Sequence, residues 1–319
     1  MLKGGQEELN YNNFLIKNAK AYQGCGNRFL ILRLNDSVLE GNPIFIRNLA
    51  RYGKEKKVDS VLLLKGDPRK YKFQKYHCAM EVFEPNSSSF STMCGNGIRA
   101  VCKYWLDEGF IIEKKPFLIK TKSGIRKVQV LKKSNFKAEM GEFSMDKNDL
   151  KKYINLKLIK NINLEKVIFP KKITDKISFN NKISKIIIGL TGNKVNGLID
   201  GEPHLVVFLK DETKIEIEDL EKYATELGNI LTRNKNFFPL EINVSIVSKN
   251  SNNCFSICTY ERGVYYVTKS CGTASAVAGA FILLKEKGKR LTMQTLGGKL
   301  KVEIFNGKNI YLTGNAQSI

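Results

Sequence analysis

The sequence predicts an α+β fold of two pseudo-symmetric lobes, each a strand-rich, barrel-like sheet wrapped around one central helix. Three observations predict it. Two Cys-Gly pairs, Cys94-Gly95 and Cys271-Gly272, each stand directly before a helix-like segment. Short apolar runs of strand length flank both segments. A series of matched positions recurs in the same order in both halves.

In the first half, residues 28–34 read as a strand after the Gly24-Cys25-Gly26-Asn27 turn. Asn42-Pro43 opens a helix to about Tyr52, with Ile46, Leu49 and Ala50 on one face. Residues 59–65 carry a continuous Val-Leu-Leu-Leu run and read as a buried strand. Residues 79–84 form another, followed by a Ser-rich loop over 85–93. After Cys94, the residues Ile98, Val101, Cys102, Trp105 and Leu106 recur at helical spacing, and Gly109 marks the stop. Residues 117–121, 125–132 and 136–140 are further strands.

In the second half, residues 185–191, 204–209, 241–247 and 254–260 read as strands, and 216–231 as an exposed amphipathic helix. The helix after Cys271 is rich in small residues from Ala274 to Phe281 and stops at Gly288. Strands over 291–295, 299–305 and 309–313 follow.

Gly26 stands 68 residues before Cys94, and Gly201 stands 70 before Cys271, each leading into an apolar run. Glu84 and Glu261 each close a strand ten residues before their cysteine. Beyond the helices, Thr121, Gly124, Lys127 and Val128 match Thr295, Gly298, Lys301 and Val302. Such a repeat implies two similar lobes related by a pseudo-two-fold axis, with the two Cys-Gly turns facing each other and the active site in the cleft between. The lobes are placed at 1–121 and 122–313, with 1–20 an extension and 314–319 completing the first. Met1 to Asn13 is polar, without a signal-type apolar core, and reads as a short extension or disordered lead-in.

Composition narrows the function classes. A hydrophobic fraction of 42% describes an ordinary globular protein. No apolar run approaches the ~18 residues of a membrane span. The net charge of +22 comes from lysines spread in small groups, such as Lys54/Lys56/Lys57 and Lys171/Lys172. It reads as a solvated surface and not a nucleic-acid site, which clusters basic residues with exposed aromatics. Seven cysteines without a dense framework argue for reduced thiols in the cytoplasm. With no Cys-x-x-Cys pair and only His77 and His204, no metal site is expected.

A thiol at a helix N-terminus is favoured as thiolate by the unpaired N–H groups and the helix dipole, and the same groups bind anions. Two such thiols suit inversion of a carbon centre: a thiolate takes a proton from one face and a thiol returns one to the other. N–H donors from two helix starts would stabilise the carboxylate-conjugated carbanion. That chemistry needs neither metal nor cofactor.

These residues resemble the cofactor-independent diaminopimelate epimerase family, which has proline and histidine racemases as relatives on the same fold. The resemblance runs from about Tyr22 to Gly314. It rests on Gly24-x-Gly26-Asn27-x-Phe29, Cys94-Gly95-Asn96-Gly97-x-Arg99, Tyr260-Glu261-Arg262-Gly263 and Cys271-Gly272-Thr273. It implies an isomerase in which Cys94 and Cys271 are the base pair and Gly95, Asn96, Gly272 and Thr273 hold the α-carboxylate. By the same resemblance Asn27, Asn243, Glu261 and Arg262 contact the substrate's amines or far end, and the protein is a homodimer. Arg99, on the helix's polar side, is expected to serve structure or the dimer, and His204 to be structural.

The departures bear on substrate. Arg28 stands for an Asp of the family, Glu84 and Glu202 for two asparagines, and Val264-Tyr265-Tyr266-Val267-Thr268 for Gly-Glu-Thr. Two carboxylates at the far end would repel a carboxylate and welcome a cation. The reading is therefore a racemase of an amino acid with a basic side chain, histidine first, with Tyr265 and Tyr266 adding aromatic packing. Lysine, ornithine and arginine follow. Alternatives are an epimerase of diaminopimelate or lanthionine, and a non-catalytic binding protein on the same fold. Pairing of Arg262 with Glu84 or Glu202 would neutralise the charge argument.

Overall fold

In the computed structural model, residues 2–34, 42–68, 75–110, 116–159, 167, 169–211 and 215–319 are described, 2–9 as backbone only. The chain divides into two units, Met1–Ala138 with Gly314–Ile319, and Glu139–Thr313.

The first unit opens on a helix, α1 (Leu2–Asn18), where the sequence reads as a short extension or disordered lead-in. One apolar stripe is enough to dock a helix, and here it is short. Leu15 is buried, and Tyr11 meets Phe45 edge to face and accepts a hydrogen bond from Asn42. Strands β1 (Lys20–Gly24) and β2 (Asn27–Arg33) form a hairpin through Cys25 and Gly26, at φ 48° and 84°. Positive φ at both central residues gives the turn whose twist suits a hairpin, and glycine adopts it without strain.

Helix α2 (Pro43–Glu55) begins at Asn42, whose side chain accepts from the N–H groups of Ile44 and Phe45, with Pro43 where no donor is needed. Strands β3 (Ser60–Lys65) and β4 (Cys78–Glu84) follow. Within the expected loop lies a short strand, β5 (Ser89–Ser91), which turns back onto β4. Helix α3 (Gly95–Asp107), β6 (Phe117–Thr121), β7 (Gly124–Lys132), the start of β8 (Asn135–Ser144) and β16 (Gln317–Ser318) complete the unit.

Its strand order is β8-β7-β6-β4-β3-β2-β1-β16. The pairs β2/β3 and β4/β6 are parallel, because α2 and α3 carry the chain across. β7 pairs with β6 along its first residues and with the start of β8, and the first unit runs on to Ala138, beyond the 121/122 boundary expected from the sequence. Helix α3 packs on β1, β2, β7 and β16 and fully buries Ile98, Val101, Cys102 and Trp105. Burying large apolar side chains contributes about 1.5–3 kcal/mol each, which offsets glycines in the helix's first turn.

In the second unit, the rest of β8 pairs with β9 (Ile183–Val195), after the short helices α4 (Lys147–Leu150) and α5 (Lys171–Thr174). Then come β10 (Leu198–Leu209), α6 (Ile217–Leu231), β11 (Asn243–Ser251), β12 (Cys254–Tyr260), α7 (Gly272–Lys285), β13 (Arg290–Thr295), β14 (Gly298–Phe305) and β15 (Asn309–Asn315). Strands β8 to β15 neighbour one another in sequence order, and β15 pairs with β8, closing a ring of eight. The parallel pairs are β10/β11 across α6 and β12/β13 across α7, the same pattern as in the first unit.

Helix α7 packs on β9, β10, β11, β13 and β14 and is buried from Gly272 to Leu283. An all-round apolar helix of small residues is the kind a ring of strands can enclose. A Cβ on Gly279 would stand 2.8 Å from Val302, so glycine there lets β14 approach. Helix α6 is exposed on one side only; Leu220, Ala224, Leu227 and Leu231 face a core shared with Tyr153, Ile159, Phe169, Ile173 and Phe179. The sequence predicts no element between 141 and 184, because its apolar residues follow neither a two-residue nor a helical period.

Candidate active site

Each Cys-Gly cysteine is the residue that opens its helix, Cys94 for α3 and Cys271 for α7. Both have extended backbone, with φ −134° and −106°, the conformation of a capping residue.

Around Cys94, the thiol sulfur accepts from the Gly97 N–H at 3.3 Å. A Cβ on Gly97 would lie 3.3 Å from that sulfur and 3.1 Å from Leu62 Cδ2, so glycine keeps the thiol over the helix start. Cys94 is half-buried, while Gly95 and Asn96 are buried beneath it. Arg99 is not on a polar surface, as expected, but fully buried. Its guanidinium donates to Gly95 O at 3.2 Å and to Asn96 Oδ1 at 2.5 Å, and lies 3.5 Å from Cys25 Sγ. The helical periodicity placed it opposite the apolar stripe; the β1–β2 turn covers that side. Asn27, at the foot of the same hairpin, is buried. Glu84 is buried as well and accepts from Ser60 Oγ at 3.0 Å and Ser91 Oγ at 2.7 Å.

Around Cys271, the sulfur lies 3.4 Å from Thr273 Oγ1, and that hydroxyl lies 3.0 Å from His204 Nε2. His204 is fully buried, and burial pushes its imidazole down to about 3, with Glu202 and Arg262 acting in opposite directions. It is therefore neutral at pH 7. Glu202 Oε2 accepts from Arg262 Nε at 3.1 Å and Nη2 at 2.7 Å. Arg262 Nη1 donates to Leu240 O at 2.8 Å, and its backbone N–H to Asn243 Oδ1 at 3.0 Å; Asn243 Nδ2 donates to Pro203 O. Burial works against the guanidinium charge, but Glu202 more than compensates and holds Arg262 above its ordinary value. Glu261 accepts from the Thr268 hydroxyl. Tyr265 donates to Glu241 and lies under Arg233, so its ring is already engaged, and Tyr266 is exposed.

The repeat extends to individual bonds. Thr121 Oγ1 donates to Gly124 O at 2.8 Å, and Thr295 Oγ1 to Gly298 O at 2.8 Å. Glu84 is bound by the hydroxyl seven residues on, Ser91, and Glu261 by Thr268, also seven on. Phe83 pairs with Phe90, and Tyr260 with Val267. A hydroxyl seven residues after each glutamate is the sequence signal of this bond. Ser60 and Tyr153 carried no sequence signal. Tyr153 Oη lies 2.7 Å from Asp200 Oδ1 and 2.9 Å from Gly201 O, bracing the residues before Glu202.

Among the described residues no group of three or more His, Cys, Asp or Glu is arranged to hold a metal ion. What each unit offers is a thiol on the capping residue of a helix, suited to proton transfer, beside helix-start N–H groups that can hold an anion.

Solved structures named as a probable proline racemase, a hydroxyproline epimerase and an isomerase share this fold. A probable proline racemase from Agrobacterium radiobacter matches with a TM-score of 0.62 at 12% identity, over 94% of this chain and 90% of that one. A phenazine biosynthesis protein of Bacillus anthracis matches with 0.59 at 15% identity, over 95% and 96%. The sequence is more specific. The family described as Diaminopimelate epimerase matches residues 20–145 and 199–319. The diaminopimelate epimerase of Alkaliphilus metalliredigens is 30% identical over 245 residues, 75% of each chain, and that of a Hydrogenobaculum species 28% over 304 residues, 92% and 93%. The chain belongs to the diaminopimelate epimerase family. It is an isomerase of the racemase and epimerase class, acting on small amino-acid substrates.

Proposed function

We propose that the protein epimerises diaminopimelate by two-base proton transfer, with Cys94 and Cys271 as the two bases. One thiolate removes the α-proton and the other thiol delivers a proton to the opposite face; in the reverse direction the roles exchange. Gly95, Asn96, Gly272 and Thr273 hold the α-carboxylate, where charge grows as the proton leaves. Asn27, Glu84, Glu202, Asn243, Glu261 and Arg262 receive the amines and the far end. The scheme asks for no cofactor.

The substrate rests on one observation beyond the family: the ion pair between Glu202 and Arg262. The histidine reading drew on two carboxylates, Glu84 and Glu202, and the pair cancels the charge of Glu202, while Glu84 accepts from two serine hydroxyls. A guanidinium beside a carboxylate is instead complementary to a zwitterion, the carboxylate of the ligand meeting Arg262 and its ammonium meeting Glu202. Diaminopimelate ends in such a group; histidine, lysine and arginine side chains do not. The relatives' names point the same way.

The test is α-proton exchange in D2O with LL- and meso-diaminopimelate, lanthionine, L-histidine, L-lysine and L-arginine. Exchange is expected with diaminopimelate. Exchange with a basic amino acid and none with diaminopimelate would overturn the substrate assignment.

A further inference from the structure

The buried imidazole of His204 has no role in the scheme above, yet it stands one hydroxyl away from a reacting sulfur. Nε2 is 3.0 Å from Thr273 Oγ1, and that oxygen is 3.4 Å from Cys271 Sγ. The ring is wholly buried and its Nδ1 has no hydrogen-bond partner. Its charged neighbours are Glu202, on its own strand, and Arg262, after β12; they pair with each other and pull the ring in opposite directions. The remaining partner, Thr273, comes from the first turn of α7.

A neutral imidazole carries its hydrogen on one nitrogen only. With the hydrogen on Nδ1, a buried N–H has no acceptor, and the Thr273 hydroxyl is drawn toward Nε2, away from sulfur. With the hydrogen on Nε2, the ring donates to Thr273 Oγ1, the hydroxyl hydrogen is free to point at Cys271, and only a lone pair goes unmatched. An orphaned buried donor costs more than an unmatched lone pair, so the second arrangement is favoured.

We propose that His204 is a positioning residue: as the Nε2–H tautomer it turns the Thr273 hydroxyl toward Cys271, whose thiolate that hydroxyl then stabilises. A hydrogen bond to an ionised sulfur is of the charge-assisted kind. The two thiols are thereby supported differently, Cys94 by the Gly97 N–H and Cys271 by a side-chain hydroxyl whose direction is set from behind. The relay takes its importance for turnover from the two-base reading, but its geometry stands without it.

Two measurements on the full chain test it, neither requiring turnover. The chain has only two histidines, so 15N labelling of histidine gives two resolvable rings. One ring is expected to stay neutral through mildly acid pH, with its hydrogen on Nε2; a hydrogen on Nδ1 would overturn the proposal. The second is alkylation of Cys271 by iodoacetamide near pH 7, located by peptide mass mapping. Thr273→Val keeps shape and removes the hydroxyl, and is expected to slow alkylation about tenfold, one pKa unit's worth of thiolate. Thr273→Ser restores the hydroxyl and is expected to recover most of the rate. His204→Gln, in which an amide replaces the ring, is expected to fall between. An unchanged rate in a folded Thr273→Val variant would overturn the relay. Slowed alkylation in a protein that exchanges no α-proton would leave the relay standing and count against the proposed reaction.

Discussion

Replacing Gly97 by alanine separates the stability of the Cys94 turn from its chemistry. Alanine is the better helix former by about 1 kcal/mol at most in the first turn. Against this, the new methyl would sit 3.1 Å from Leu62 Cδ2, 3.2 Å from Cys94 Cβ and 3.3 Å from Cys94 Sγ, closer than comfortable contact. Overpacking of this kind costs about 1–3 kcal/mol, so the net change lies between neutral and a loss of about 2 kcal/mol. The easiest relief is rotation of the Cys94 side chain, which takes the sulfur off the Gly97 N–H that it accepts from at 3.3 Å. Losing a hydrogen bond to a charged group costs about 1.5–3 kcal/mol, or one to two pKa units, and so about ten- to a hundredfold less thiolate below the thiol's pKa. Urea unfolding, alkylation of Cys94 followed by mass mapping, and α-proton exchange are the assays. The expected result is a nearly intact fold with both rates down at least tenfold. Alkylation and exchange at wild-type rates in a Gly97→Ala protein of wild-type stability would refute the idea that this glycine holds the thiol in place.

Three further outcomes follow from the geometry. Glu202→Gln leaves Arg262 with Leu240 O as its remaining side-chain contact of those described above; unfolding is expected to become easier by about 1–3 kcal/mol, and KM for diaminopimelate to rise more than kcat falls. His204 is held neutral by burial, with its folded value near 3 against 6.5 for a free imidazole. Because the unfolded chain takes up that proton first, stability is complete above pH 6.5. It falls by up to about 1.4 kcal/mol per unit as the pH drops from there toward 3, a slope that His204→Gln should remove in denaturant titrations. Thr121→Val and Thr295→Val break equivalent side-chain bonds at 2.8 Å, and each is expected to cost about 1 kcal/mol by thermal unfolding; a large inequality would mean that the two turns differ in their packing.

The parts of this protein that were legible in the sequence are those whose physics is local. The two cysteine caps, the strands beside them and the match between halves depend on neighbours within a few residues, and the repeat made each half a check on the other. Helix α1 was missed because Tyr11 finds its partner, Phe45, on α2, more than thirty residues on, which a polar composition does not reveal. The segment that packs on α6 was missed for the same reason: Tyr153, Phe169 and Phe179 follow no period and are ordered by the helix they cover. The substrate argument turns on Glu202. The sequence names Arg262 as a possible partner of Glu84 or Glu202 but cannot choose between them; the structure pairs it with Glu202, 60 residues away, and so cancels that carboxylate's charge. Arg99 gives the same lesson in reverse, since one face of a helix is polar by sequence and buried by tertiary contact.

The central claim, that two thiols act from opposite faces, is tested most directly by the early time course of deuterium incorporation in D2O, starting from one epimer of diaminopimelate. With two bases, the product epimer should carry deuterium at the inverted carbon from the first turnovers, while the recovered substrate remains protonated. Either Cys94→Ala or Cys271→Ala should abolish the reaction. Deuterium entering substrate and product equally fast from the start, or epimerisation surviving both substitutions, would contradict the account.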